Sequence, residues 1–281
     1  MKTAVISSFD KLTGLIHAYV PPKRSVNVLD EDIFLVSYPK SGNTWLRFIV
    51  ANLINSATDI SFSNIDLIVP DIYKVSAAKL RKISRPRILK SHEYLDVRYG
   101  KVIYIVRDPR DVLLSYYHYK ILRKKLSESH PLDDFAQDFL HGKIDKFGTW
   151  QDHVGGWLGA RKNSQDFLLL RYEDLIKEPF LETKKVANFI GLNASDDAVQ
   201  RSLELSSFKK MRELEKTTGS NSAALRGSRK DMFFVREGRS GGWVESLPDV
   251  ISAKVIEKFQ SGMVEAGYLE ASTGNAQSMK P

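Results

Sequence analysis

The stretch that decides the fold is Ser37-Tyr38-Pro39-Lys40-Ser41-Gly42-Asn43-Thr44-Trp45. It follows the apolar run Ile33-Phe34-Leu35-Val36 and precedes residues whose apolar positions recur with helical spacing. A strand, a tight turn with a lysine and a helix start can hold an anion. The first N–H groups of a helix lack intrahelical partners, and the helix dipole favours negative charge there. The stretch therefore predicts a phosphate or sulfate site, and Trp45 adds a flat ring that suits a nucleotide base.

Short β-rich runs alternate with helical patterns along the chain. The predicted strands are Asp32–Ser37, Arg87–Lys90, Lys101–Val106 and Asp166–Leu170. Helical segments follow the first, third and fourth strands; helices are predicted from Pro109 to about Lys124 and over residues 179–190, 195–204 and 248–266. Near-continuous apolar strands are typical of a sheet buried on both faces, and the alternation implies parallel strands. We therefore predict an α/β fold, a single domain over residues 1–281 with a central parallel β-sheet flanked by helices.

The composition restricts the classes of function. Of the 281 residues, 42% are hydrophobic and 27% are charged, and the formal net charge is +8. This charge favours a small anionic ligand over nucleic acid, because no long basic run or aromatic-interleaved repeat is present. The absence of cysteine excludes disulfides and thiolate chemistry. The N-terminal apolar run is too short for a secretory signal and no run could cross a bilayer, so we expect a cytoplasmic protein with no membrane partner.

Two segments carry neither a strand pattern nor a helix pattern. Thr217–Ser222 is rich in Ser, Thr, Gly and Asn and is predicted to be a mobile loop, and Ala271–Pro281 is predicted to be a frayed, flexible tail. Because the loop precedes a basic, glycine-rich segment, residues 217–234 could order over a bound nucleotide as a lid.

Arg107 lies directly after the third predicted strand, and open α/β sheets bind ligands beyond the carboxyl ends of their strands. Its planar guanidinium suits phosphate, and the Ser115 hydroxyl, one to two helical turns further on, could join the same group. The helix between them is predicted to start with Asp108 as its cap and Pro109 at its first position, with Asp111 returning a capping bond. The alternative to ligand binding is an ion pair between Arg107 and Asp111.

A second basic, glycine-rich element is Phe234-Val235-Arg236-Glu237-Gly238-Arg239-Ser240-Gly241-Gly242-Trp243, which could surround a phosphate with backbone donors and arginines. With the elements above, it resembles the sulfotransferases that use 3′-phosphoadenosine 5′-phosphosulfate (PAPS). The matches run from about residue 32 to 245 in the family's order. They comprise the 5′-phosphosulfate loop at 38–45, the 3′-phosphate motif at 107–118, the C-terminal Arg-x-Gly-x-x-Gly-x-Trp loop at 236–243, and family patterns at 147–157 and 171–179.

The resemblance implies one sulfotransferase domain with a fold related to P-loop nucleotide kinases. It implies PAPS as co-substrate, adenosine 3′,5′-bisphosphate (PAP) as product, and no metal. The 5′-phosphosulfate would be held by Lys40 and the amides of Ser41, Gly42, Asn43 and Thr44. The 3′-phosphate would be held by Arg107 and Ser115, joined by Arg236 and Gly238. The adenine would be bordered by Trp45, Tyr172, Ser206 and Phe208.

Three features depart from the family pattern. Asn43 stands where many members have threonine, which is a mild change because the loop works largely through its amides. Glu237 stands where lysine is common, so one 3′-phosphate contact is lost or replaced by Arg239. The Lys-x-x-x-Thr-Val dimerisation segment of cytosolic members is not evident, so the oligomeric state stays open.

Sulfuryl transfer needs a base near the acceptor and cations near the leaving oxygen. Lys90-Ser91-His92 follows the second predicted strand and resembles the family segment whose histidine is the general base. An imidazole ordinarily titrates near neutrality, so His92 could accept the acceptor's proton, while Lys90 and Lys40 would stabilise charge on the transferring group. We therefore predict transfer from PAPS to a hydroxyl or amine of a small-molecule acceptor, by in-line displacement. The identity of the acceptor is not readable from the sequence.

Two other functions are compatible with parts of this pattern. A P-loop-like nucleotide or small-molecule kinase would need Gly-x-x-x-x-Gly-Lys-[Ser/Thr], whereas Lys40 precedes Gly42 here. A non-catalytic nucleotide-binding protein would have no use for His92 in a cleft. For His92 itself the alternative is a structural histidine that is bonded to the backbone. The remaining histidines show no paired ligand spacing, so no zinc site is predicted.

Overall fold

The computed structural model describes residues 26–55, 57–222 and 225–270. Within them, a single parallel sheet is formed by the strands β1 Ile33–Val36, β2 Ile88–Ser91, β3 Lys101–Val106 and β4 Phe167–Arg171. The strand order is β2-β1-β3-β4. This sheet confirms the predicted α/β fold with a central parallel sheet. The predicted tail at 271–281 lies outside the described residues, and the single-domain assignment over 1–281 stays a prediction.

Helices follow the first, third and fourth strands and supply most of the remaining structure. In chain order they are α1 Asn43–Ile54, α2 Ile65–Ile68, α3 Ala77–Leu80, α4 Pro109–Leu122, α5 Leu132–Leu140, α6 Trp150–Arg161, α7 Tyr172–Lys177, α8 Pro179–Phe189, α9 Asp196–Leu205, α10 Phe208–Thr218, α11 Trp243–Ser246 and α12 Asp249–Glu265. In the part of the chain that the structure describes, no helix combines the length and apolar character needed to cross a bilayer.

Alternating strand residues enter two separate hydrophobic cores, one on each face of the sheet. Phe34 and Val36 of β1 join the core that contains α4, α5, α6 and α12. Ile33 and Leu35 join the core that contains α1, α7 and α8. A strand with apolar side chains on both faces can only be stable between two helical layers, which accounts for its continuous apolar sequence.

The carboxyl ends of the four strands meet at one edge of the sheet. The parallel register pairs Val36 with both Ser91 and Tyr104, and Val106 with Arg171. The residues that follow the strands are therefore neighbours in space although they lie far apart in sequence. Open α/β sheets bind their ligands at such an edge.

The prediction of a mobile loop at Thr217–Ser222 is wrong. Helix α10 continues through Thr218, and a short 3₁₀ turn covers Gly219–Asn221. The Thr218 hydroxyl donates to the Leu214 carbonyl at 2.6 Å and accepts from the Phe62 amide at 3.3 Å. These bonds let polar residues continue the helix where their composition indicates a loop.

Candidate active site

A cavity of about 630 Å³ opens at the carboxyl ends of the strands. Lys40 and Arg107, which were predicted to grip opposite ends of one nucleotide, both line it. The predicted site residues that it brings together are Lys40, Gly42, Asn43, Thr44, Trp45, Lys90, His92, Arg107, Ser115, Tyr172, Phe208, Arg236 and Gly238. Ser41 and Ser206 do not belong to its lining.

Gly42 begins helix α1 with a left-handed backbone, φ 96°. A side chain here would be strained, and its Cβ would lie 2.5 Å from Cδ2 of Tyr172. No side chain caps the helix, so its first N–H groups are left for a ligand. The turn therefore fits the anion predicted for it.

The residues on either side of Gly42 fix the shape of the turn. The Asn43 amide group donates to the Leu35 carbonyl at 3.0 Å and to the Ser37 hydroxyl at 3.3 Å. Asn43 thus ties the helix start to β1. Ser41 is buried behind the turn, and its N–H donates to the Tyr38 carbonyl at 3.4 Å.

Lys40 has a positive φ of 71° and its ammonium lies against two aromatic rings. The nitrogen is 4.2 Å from the Tyr119 ring centroid and 4.0 Å from that of Phe234. Burial and then the Arg107 guanidinium lower the pKa of Lys40 to about 7. A ligand anion would favour the charged lysine again, because an opposite charge raises the pKa of an ammonium.

Arg107 forms the ion pair that the sequence presented as the alternative to ligand binding. Its guanidinium pairs with Asp111 at 3.3 Å, donates to the Arg239 carbonyl at 3.1 Å and stacks 4.4 Å from the Tyr172 ring centroid. It also lines the cavity, and its Nε has no hydrogen-bond partner among the described residues. The ion pair therefore orients Arg107 and leaves donor capacity for an anion.

Asp111 anchors the glycine-rich loop at residues 236–243. Its two carboxylate oxygens accept from the Gly241 amide at 2.8 Å and the Trp243 amide at 3.0 Å. The predicted capping bond from Asp111 to its own helix is wrong, because the Asp108 amide donates to the Glu173 carboxylate at 3.1 Å instead. Asp108 caps helix α4 as predicted, accepting from the Arg110 amide at 2.9 Å.

Glu237, which departs from the family pattern, neutralises charge on this loop. Its carboxylate lies 3.4 Å from Arg236 and 2.8 Å from Arg239, and Arg239 also pairs with Glu245 at 2.9 Å. Arg236 and Arg239 both line the cavity. The loop therefore presents its arginines in a fixed, partly neutralised arrangement.

Three aromatic rings stand where the adenine was predicted. Trp45 and Tyr172 meet edge to face at 5.7 Å, and both line the cavity with Phe208. The Trp45 indole donates to the Ser206 carbonyl at 2.9 Å, and the Ser206 hydroxyl accepts from Asn52 at 3.1 Å. The structure thus corrects the placement of Ser206: it lies behind Trp45 and orients the indole, because its polar groups are already bonded.

His92 lies at the end of β2 with one ring nitrogen fixed by the backbone. Nδ1 is 2.8 Å from the Ser37 carbonyl oxygen. Because a carbonyl can only accept, Nδ1 carries the proton and Nε2 carries the lone pair. Burial, followed by the charge of Lys90, lowers the pKa of His92 well below 6.5, which corrects the expected near-neutral titration. The imidazole is therefore neutral and able to accept a proton at pH 7.

Helix α6 holds the strand ends through three ring N–H groups that the sequence did not single out for this role. Nε2 of the buried His153 lies 3.2 Å from the His92 carbonyl, and Nδ1 lies 2.8 Å from the Tyr104 hydroxyl. The Trp150 indole donates to the Arg107 carbonyl and the Trp157 indole to the Glu93 carbonyl, each at 3.1 Å. The segments that carry His92 and Arg107 are thereby fixed to one helix.

Lys90 shares one buried carboxylate with a second lysine. Asp71 lies 3.0 Å from the ammonium groups of both Lys90 and Lys74. Burial lowers the pKa of Lys90 to about 8, and the lysines hold the pKa of Asp71 far below its usual range.

In residues 26–55, 57–222 and 225–270, no cluster of three or more His, Cys, Asp or Glu could hold a metal.

Comparison with known proteins decides the family. A model of the sulfotransferase domain matches residues 30–268. The chain belongs to the sulfotransferase family. Sulfotransferase 2B1 of Mus musculus is 33% identical over 231 residues, which cover 77% of this chain and 67% of that protein. The 3-beta-hydroxysteroid sulfotransferase of Cavia porcellus is 33% identical over 255 residues, which cover 86% of each chain. The amine sulfotransferase of Oryctolagus cuniculus is 26% identical over 249 residues, which cover 84% of this chain and 82% of that protein.

A solved sulfotransferase structure of similar fold contains PAP. The crystal structure of mouse sulfotransferase SULT7A1 complexed with PAP superposes with a TM-score of 0.69 at 28% identity, covering 85% of this chain and 86% of that chain. The chain is thus a PAPS-dependent sulfotransferase with a P-loop-like fold, and it transfers a sulfuryl group from PAPS. This confirms the family, fold and co-substrate predicted from the sequence.

Proposed function

We propose that this sulfotransferase acts on a hydroxyl or amine of a small-molecule acceptor by in-line displacement, with His92 as the general base. One observation carries the proposal: the Ser37 carbonyl fixes the proton on Nδ1, so that Nε2 of a neutral imidazole is the accepting atom. His92 lines the same cavity as Lys40 and Lys90. A base and two cations are the minimum that this chemistry needs.

The cavity supports a donor that is anionic at both ends. The uncapped turn at Gly42 and the ammonium of Lys40 suit the 5′-phosphosulfate. Arg107, Ser115, Arg236 and the Gly238 loop suit the 3′-phosphate. Trp45, Tyr172 and Phe208 offer flat surfaces between them for adenine. These assignments to individual residues are part of the proposal.

In the proposed step, the acceptor oxygen or nitrogen attacks sulfur from the side opposite the 5′-phosphate. The new bond to sulfur forms as the bond between sulfur and the bridging oxygen breaks, and its electron pair leaves with PAP. Nε2 of His92 takes the acceptor's proton. Lys40 and Lys90 stabilise the negative charge that grows on the bridging oxygen and the transferring group.

One relative of this chain is named for a hydroxysteroid and another for an amine, which supports proposing both hydroxyl and amine acceptors. Family membership removes the kinase and the non-catalytic binder from consideration. A cytoplasmic location and the absence of nucleic-acid and membrane partners stay predictions from the sequence.

The substitution His92→Asn tests the base. An asparagine amide can still donate to the Ser37 carbonyl, but it has no basic atom. We expect turnover of ³⁵S-labelled PAPS with a panel of phenols, alcohols and amines to fall at least about 100-fold, while PAP affinity by calorimetry changes less than about threefold. His141→Asn, at an exposed histidine outside the cavity, is the matched control. Wild-type turnover in His92→Asn would remove His92 from this role.

A further inference from the structure

The part of the cavity around His92 is both aromatic and charged. We call the set His92, Tyr73, Lys74, Lys146 and Phe147 the His92 end of the cavity. The imidazole stacks on Tyr73 with ring centroids 6.3 Å apart and meets Phe147 edge to face at 5.6 Å. An acceptor that reaches Nε2 must therefore lie against these two rings.

The Lys146 ammonium lies over the same two rings that contact His92. Its ammonium lies 4.8 Å from the Tyr73 centroid and 5.2 Å from the Phe147 centroid. Lys74 pairs with Asp71 at 3.0 Å, whereas Lys146 forms no ion pair with any residue that the structure describes. A half-buried ammonium that lies over ring faces and has no ion pair keeps most of its capacity to bind an anion.

Among the described residues, no neighbouring carboxylate lies at ion-pair distance from Lys146. Asp71 is shared by two lysines, Lys74 and Lys90, so that group carries one net positive charge. Asp145, next to Lys146, accepts from the Phe147 amide at 2.8 Å; burial raises its pKa to about 6, so that it is mainly ionised at pH 7. His92 is neutral at pH 7 and adds no charge of its own. Of the two ammonium groups at the His92 end, that of Lys74 is paired with Asp71 and that of Lys146 has no ion pair among the described residues.

We propose that the acceptor is an organic anion: its carboxylate, sulfate or phosphate group pairs with Lys146 while its hydroxyl or amine meets Nε2 of His92. The inference rests on the proposed function, because it places the acceptor at His92. It makes Lys146 a specificity-determining residue. A neutral, purely apolar acceptor that covers this ammonium would leave it without an anionic partner, and burying an unpaired charge is costly.

The test uses hydroxylated probes in matched pairs that differ only in charge. They are 4-hydroxyphenylacetate and its amide, glucuronate and glucuronamide, and 3-hydroxybutyrate and its amide. Each probe is titrated calorimetrically into PAP-saturated protein, and each is assayed as an acceptor with ³⁵S-labelled PAPS. The variants are Lys146→Met, which removes the charge, Lys146→Arg, which keeps it, and Lys143→Met, at an exposed lysine outside the cavity, as matched control.

For the wild type, we expect the charged member of at least one pair to bind at least about tenfold more tightly than its amide, and to show a similarly higher kcat/KM. Lys146→Met should abolish that preference, while Lys146→Arg and Lys143→Met should keep it. Equal binding within every pair, no binding by any probe, or a preference that survives Lys146→Met would overturn the proposal. Undiminished sulfation by His92→Asn would instead contradict the proposed base and leave the charge preference in binding intact.

Discussion

The Lys40 ammonium lies between the rings of Tyr119 and Phe234, 4.2 Å and 4.0 Å from their centroids. Burial and the neighbouring cation Arg107 lower its pKa to about 7, although Glu215 acts in the opposite direction. PAP or PAPS would bring several negative charges to the same cavity. Binding of the nucleotide should therefore raise the pKa of Lys40 and draw in a proton at neutral pH.

This coupling predicts a pH dependence of PAP affinity. Phosphate groups of this kind lose their second proton near pH 6, so their charge is nearly constant above pH 7. Above about pH 7, binding must restore the proton on Lys40, and the Kd should rise by up to about tenfold per pH unit until the pKa of the complex is reached. Lys40→Arg, which stays charged, should flatten this rise. Calorimetry from pH 7 to 9 in two buffers of different ionisation enthalpy measures both the Kd and the protons taken up.

The quantity to compare between the wild type and Lys40→Arg is the slope of log Kd against pH. The absolute affinity is not compared, because the substitution can change it for other reasons. Parallel slopes for the two proteins, or no net proton uptake by the wild type at pH 8, would show that Lys40 does not titrate on binding.

At the scale of elements, the loop at residues 236–243 is held from three sides. Asp111 accepts two of its amides, Arg212 donates to the carbonyls of Val235 and Arg236, and Gly238 packs on Phe208. Gly238 has a φ of 65°, and a Cβ there would lie 2.5 Å from Cδ2 of Phe208. The close contact joins the loop to the start of α10, where the adenine is proposed to bind.

Gly238→Ala tests this contact, and Gly241→Ala is its matched control. Gly241 also has a positive φ, 76°, but an added Cβ meets nothing within 4 Å. Both variants should lose about 1–2 kcal/mol of unfolding free energy through backbone strain, measured in urea. Only Gly238→Ala should also weaken PAP binding, by about tenfold or more, because Phe208 or the loop must move. Adding Phe208→Ala to Gly238→Ala should remove the clash. If Gly238→Ala and Gly241→Ala bind PAP equally, the contact between Gly238 and Phe208 has no role in the nucleotide site.

The elements that the sequence predicted are those with local signals. Four apolar runs gave the strands, and the Gly42 turn and the Asp108-Pro109 pair gave the starts of α1 and α4. Helix α10 is polar, and its cap, Ser207 accepting from the Lys210 amide at 3.4 Å, is a weak signal by itself. Helix α6 contains three glycines, which obscure its pattern, although Thr149 caps it and Asp152 follows in its first turn. The apolar spacing in α5 was a readable signal that the prediction missed.

At the scale of the whole molecule, the sequence could name the basic residues of the site but, apart from the ion pair of Arg107 with Asp111, not the groups that contact them. Lys40, Lys90, His92 and Arg107 stand beside strand ends, which is a local pattern. Residues such as Asp71 and Lys146 belong to segments without a period, and only the packing of those segments against the strand ends brings them to His92. The role of Ser37 was equally hidden, because it acts through a backbone carbonyl.

The same packing fixes His153 as a neutral group inside the molecule. It is fully buried between the His92 carbonyl and the Tyr104 hydroxyl, and burial lowers its pKa to about 4. In the unfolded chain its pKa is near 6.5. Below that pH the unfolded chain binds a proton at His153 that the folded protein does not bind, so the contribution of His153 to the free energy of unfolding falls as the pH falls from 6.5 to 4.

His153→Gln isolates this contribution, because glutamine does not titrate and its amide can still donate to the His92 carbonyl. The difference between about 4 and 6.5 corresponds to about 3 kcal/mol, so urea denaturation should show the wild type losing about 3 kcal/mol more than the variant between pH 6.5 and pH 4. Asp145, whose raised pKa acts in the opposite direction below about pH 6, is present in both proteins and cancels from the comparison. Parallel curves for the two proteins would mean that His153 takes up its proton in the folded state as readily as in the unfolded chain.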